Sequence, residues 1–130
     1  MVNAIGDFIV LPSFFEPCGL EDFISQIYGT IPVAHSTGGL NKIIDRKTGF
    51  LYSNNNSESL IAKLSEVISI KKYKPEIISK MIKDTSIYIK ENYEWRKVIE
   101  KKYLPFFNLT PPLSQSKPSE TGKPKTFSLK

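Results

Sequence analysis

The order of apolar runs between residues 7 and 36 constrains the fold more than any other feature of the chain. "DFIVLPS" (7–13) is a short continuous apolar run closed by Pro12 and Ser13, the mark of a strand covered on both faces. From Leu20 the apolar positions fall at 20, 23, 24, 27 and 28, which is the stripe of a helix. Gly29 follows where a helix is most easily stopped. "TIPVAHS" (30–36) reads as a second buried strand. Two strands joined by a helix run parallel, in a right-handed crossover, so the chain begins as an α/β sheet.

After "TGG" (37–39) and the segment "LNKIID", Gly49 marks a turn and residues 50–52 a third short strand. Helices then take over. "NNNSESLIAKLSEVISI" has a cap at Asn56 or Ser57 and an apolar stripe at 60, 61, 64, 67 and 68. The next helix opens at Pro75, a residue suited to the first helical turn, with its stripe at 77, 78, 81, 82, 85 and 89. A last helix carries Trp95, Val98, Ile99 and Tyr103 on one side and is expected to stop at Pro105. The stripes of these last three helices are expected to face the core. The lysine run at 71–74 reads as an exposed helix junction.

The bulk properties narrow the class. A chain of 130 residues holds one domain at most, and 40% apolar residues suffice for a core. No run of 18 apolar residues occurs, and the amino terminus lacks the basic start and cleavage site of a secretory signal. One cysteine excludes an internal disulfide and suits a reducing compartment, so a cytoplasmic location is expected. With one cysteine and one histidine, no metal site and no cofactor are expected, and His35 reads as a strand-end polar residue. The net charge of +5 is uneven. Residues 109–130 hold four lysines, one glutamate, four prolines and four serines, the composition of a disordered tail. Residues 1–108 are nearly balanced and form the expected domain. No aromatic-basic motif argues for nucleic acid.

Two junctions could carry chemistry. "FEPCGLEDF" (15–23) lies between the end of a buried strand and the start of a helix, the edge where open α/β sheets bind ligands. A helix start offers unpaired N–H groups and a positive dipole end to an anion. Gly19 allows close approach to the backbone, and Glu16 can accept hydrogen bonds from sugar hydroxyls. "HSTGGLNKI" (35–43) repeats the arrangement with Thr37, Gly38 and Gly39.

Taken together, "DFIVLPSFFEPCGLEDFISQIYGTIPVAHSTGGLNKIID" and the later "TGFLY" resemble the carboxy-terminal domain of bacterial glycogen synthases and plant starch synthases. These are retaining glucosyltransferases of the GT-B fold. "YEWRKVIEKKYLPFF" is similar to the closing Trp-containing helix of that family, and the resemblance covers residues 4 to 107. It implies a partial Rossmann-like parallel sheet with carboxy-terminal helices. The implied activity is transfer of glucose from ADP-glucose, or UDP-glucose, to an α-1,4-glucan. Position by position, Glu16 is implied to face the donor glucose, and Cys18 and Gly19 to line the sugar and diphosphate. Leu20 and Glu21 would meet phosphate and ribose, with Thr37, Gly38 and Gly39 beside that pocket. Glu21 and Asp22 depart from the family pattern of a small residue followed by Gln, and set two carboxylates near a diphosphate. Position 24 is Ile24, so the second glutamate of other GT-B families is absent.

The acceptor-binding amino-terminal domain and the Arg and Lys that neutralise the diphosphate fall outside this sequence. The expectation is therefore a fragment, a split protein or a degraded gene product that is inactive alone. The alternative is a non-catalytic fragment that binds a nucleotide sugar or a partner protein.

Overall fold

The computed structural model describes residues 5–109. The tail at 109–130 lies outside these residues, apart from Leu109. Strand β1 (Phe8–Leu11), helix α1 (Leu20–Ile27) and strand β2 (Ile31–His35) form the expected crossover. A 3₁₀ helix (Gly38–Lys42) precedes strand β3 (Phe50–Tyr52). The three strands make one parallel sheet in the order β1–β2–β3. Phe8 pairs with Ile31 and Val33 with Phe50. Pro32 sits in the central strand, where a missing N–H is normally costly. Alternate N–H groups face opposite neighbours. Ile31 donates to Asp7 at 3.0 Å on the β1 side, so the ring nitrogen of Pro32 faces β3 one residue before that pairing begins at Val33.

Helices α2 (Ser57–Tyr73) and α3 (Pro75–Tyr93) cover one face of the sheet. There Ile31, Val33 and Phe50 meet Val67, Ile78 and Met81, all buried. Ala34, Leu40 and Ile43 form a smaller core on the other face. Asn56 is the cap of α2, its Oδ1 accepting from the Ser59 N–H at 2.9 Å. Lys71 to Lys74 are exposed, as expected, and Lys71 pairs with Asp7 at 2.6 Å.

The core expectation is corrected on α2, where Ile61 and Ile68 of the stripe are exposed at 63% and 60%. The α1 stripe faces outward: Leu20 and Ile27 are about two-thirds exposed, at 64% and 65%, and Ile24 and Tyr28 are also exposed. The opposite, polar face is buried, with Asp22, Ser25 and Gln26 turned inward. Polar groups can be buried when each finds a partner. Gln26 Nε2 donates to the Thr48 carbonyl at 3.1 Å, and Ser25 Oγ to the Asp22 carbonyl at 2.9 Å. The last helix is likewise no core element. It runs as α4 (Trp95–Val98), a π-helical turn (Ile99–Tyr103) and α5 (Leu104–Phe106), with Trp95 at 72% exposure. Pro105 lies inside its final turn rather than ending it, directly after the π-helical turn, a local departure from the regular ladder at which a residue without an N–H is accommodated.

Candidate functional site

The loops that follow β1 and β2 emerge side by side at the carboxyl end of the sheet, and they are bonded to each other. The Gly39 N–H donates to the Glu16 carbonyl at 2.6 Å. Thr37 Oγ1 donates to the Phe14 carbonyl at 3.3 Å. His35 bridges the rim, with Nδ1 at 2.8 Å from the Ser13 carbonyl and Nε2 at 3.2 Å from the Ser53 carbonyl. A neutral imidazole donates to only one of these two oxygens. Asn55 Nδ2 adds a contact to the Pro12 carbonyl at 3.4 Å.

The glycines of the second junction are explained by this contact. A Cβ on Gly38 would run into the Glu16 carbonyl, and one on Gly39 into the backbone of Cys18. The two loops can touch only because neither residue has a side chain. Gly19 is required for a different reason. It is the N-cap of α1, in the left-handed region with φ 67°. Its missing Cβ would lie 2.8 Å from Lys42 Nζ, 3.0 Å from Leu40 Cδ2 and 3.1 Å from Asp22 Oδ1.

Glu16 is partly buried, and its Oε1 accepts from the Gly19 N–H at 3.0 Å. Among the described residues no group donates to its second oxygen. Cys18, Leu20, Glu21 and Gly38 are exposed, Thr37 and Gly39 are half-buried, and Gly19 is buried. All eight residues singled out in the sequence thus gather at two touching strand tips.

Two further residues belong to this assembly, and motif reading passed them over. Lys42 ends the 3₁₀ helix. Its Nζ donates to the carbonyls of Cys18 and Gly19 at 2.6 Å and of Gly39 at 2.9 Å. It also pairs with Asp22 Oδ1 at 2.9 Å and lies 4.5 Å from the centre of the Phe23 ring. Asp22 is fully buried, at 0% exposure. Burial raises its carboxyl above the ordinary carboxylate range, and the hydrogen bond and charge of Lys42 pull it back down. Asp22 is therefore neutralised from within and does not face a ligand. The signal in the sequence was an acid on the polar side of α1 with a lysine after the double glycine. Phe23 also packs against Tyr93 with the two rings tilted, ring centroids 4.6 Å apart. Burial, then Tyr88 and Asp22, push the Tyr93 hydroxyl up to about 12.

Among the described residues no helix is long and apolar enough to cross a membrane, and no three metal-ligating side chains cluster.

No family model matches the chain. Known proteins do. Glycogen synthase of Thermodesulfovibrio yellowstonii is 36% identical over 107 residues, which is 82% of this chain and 20% of that enzyme. Glycogen synthase of Lactococcus lactis is 34% identical over 88 residues, 62% of this chain and 18% of the enzyme. Among solved structures, the catalytic domain of starch synthase IV from Arabidopsis thaliana, bound to ADP and acarbose, superposes with a TM-score of 0.57 at 30% identity. That match covers 65% of this chain and 20% of the other. HepE of Anabaena, in complex with UDP, shares the fold at a TM-score of 0.67 and 16% identity, over 83% of this chain and 29% of that one. The chain spans about a fifth of the length of these glycogen synthases. In sequence and in backbone, then, it corresponds to a portion of a glycosyltransferase of the glycogen synthase and starch synthase family, with the GT-B fold.

Proposed function

We propose that residues 13–42 form the donor-sugar cradle of a retaining glucosyltransferase that works in the cytoplasm and extends an α-1,4-glucan from ADP-glucose or UDP-glucose. One observation carries this reading: the hydrogen bond from Gly39 N–H to the Glu16 carbonyl at 2.6 Å joins the two strand tips into one edge. The ADP held by starch synthase IV, at 30% identity, supports a nucleotide sugar as the ligand.

In this reading Glu16 uses one oxygen to brace Gly19 and leaves the other for a hydroxyl of the hexose. Cys18 and Gly19 line the sugar and diphosphate. Leu20 and Glu21 stand at the start of α1, where N–H groups without helical partners point at the departing diphosphate. Charge builds on that group as the glycosidic bond breaks, and fixed donors stabilise it without reorganisation. Thr37, Gly38 and Gly39 close the adjoining wall. The glucan acceptor would be held by sequence beyond this fifth of the enzyme, so these residues alone bind a donor without transferring it.

Purified chain incubated with ADP-glucose and glycogen is expected to incorporate no glucose above the blank. Calorimetry is expected to register ADP-glucose binding that Glu16→Ala weakens about tenfold or more, equivalent to ~1.4 kcal/mol. Incorporation by the chain alone would refute the division of labour. Equal binding by Glu16→Ala would remove the site.

A further inference from the structure

We infer that Lys42 is the positioning residue of this cradle, an internal ammonium that holds the two strand-tip loops in register from beneath. The inference rests on the donor-site reading and deepens it. Lys42 comes from the 3₁₀ helix after β2, yet its Nζ gathers the Cys18 and Gly19 carbonyls of the first loop and the Gly39 carbonyl of the second, all within 2.9 Å. Asp22 supplies the countercharge at 2.9 Å, and the Phe23 ring closes one side. The ammonium fills the space that a side chain on Gly19 would take.

Drawing the Cys18 carbonyl inward turns the N–H of that same peptide, the Gly19 N–H, toward Glu16 Oε1. In the second loop Gly39 is held at both ends, its carbonyl by Lys42 and its N–H by the Glu16 carbonyl. Lys42 therefore acts on the ligand only through Glu16 and the loop backbone. A compact ammonium suits the task, because it offers three donors that can aim in different directions.

The experiment must separate positioning from simple stability. Removing Lys42 alone leaves a buried carboxylate without its partner, which destabilises the fold whatever else Lys42 does. The double variant D22N/K42M removes that charge as well. ADP binding by calorimetry and thermal unfolding are measured on wild type, K42M and D22N/K42M. K42M is expected to lose both stability and ADP affinity. D22N/K42M is expected to regain most of the melting temperature yet bind ADP at least about tenfold more weakly than wild type. Affinity within about twofold of wild type in the double variant would overturn the inference and leave the donor site standing. Absence of ADP binding by wild type would bring down both.

Should neither variant fold, NMR of the wild-type chain decides. The Lys42 ammonium signal and the Gly39 amide signal are expected to shift together as ADP is added. An ammonium signal that stays fixed while the Gly39 amide moves would overturn the inference.

Discussion

An ammonium with four oxygens within 2.9 Å spends its three protons on the protein, and the Lys42 side chain is only 15% exposed. Burial raises the Asp22 carboxyl, so between the ordinary carboxylate range and its folded value the native chain holds more protons than the unfolded chain. Stability contributed at this position therefore falls as pH rises through that window. Lys42 opposes the shift, and Lys42→Met widens the window upward. The variant is expected to lose about 3 kcal/mol at pH 7, and the gap to wild type is expected to narrow as urea titrations are repeated toward pH 4. A gap independent of pH would show that Asp22 is not the group concerned. Gly39 makes a second prediction at this scale. Its Cβ would meet the Cys18 backbone, and neither chain can swing aside. Gly39→Ala is expected to cost at least ~2 kcal/mol by urea unfolding.

Helix α1 sets pattern against packing. Its polar face is locked to the sheet by Gln26 on Thr48 and by Asp22 on Lys42, while Leu20 and Ile27 point outward. Ile27→Lys is thus expected to change stability by no more than ~0.5 kcal/mol, as surface substitutions do. Gln26→Ala strands the buried Thr48 carbonyl and is expected to cost about 1–3 kcal/mol. Differential scanning calorimetry of the two variants tests the orientation directly, since an inward stripe would reverse their order. On α2 the cap is a single bond from Asn56 to the Ser59 N–H, and Asn56→Ala is expected to remove ~1 kcal/mol.

In the whole molecule β2 is central, and the larger core is built on Val33 and Phe50 at 0% and 1% exposure. Phe50→Ala is expected to cost about 3–5 kcal/mol. That is a large part of the stability of any small domain, so most of the far-ultraviolet helical signal should be lost near room temperature. At this scale the sequence determined the existence and order of β1, α1, β2 and β3 and the parallel pairing of β1 with β2. It also determined the starts of α2 and α3 and the two glycine-bearing strand tips. Those features depend on neighbours a few residues apart, through periodicity, caps and turn residues, and such signals survive without knowledge of the fold. Only the tertiary structure decided which face of α1 turned inward, because the helix offers one apolar and one polar face, and the partners of the polar face, Thr48 and Lys42, lie far along the chain. It alone decided that Asp22 is neutralised rather than exposed, and that the Gly19 void is filled by Lys42. The physical reason is the same in each case: a buried polar group is stable only beside its partner, and chain closure, not local pattern, brings the partner there.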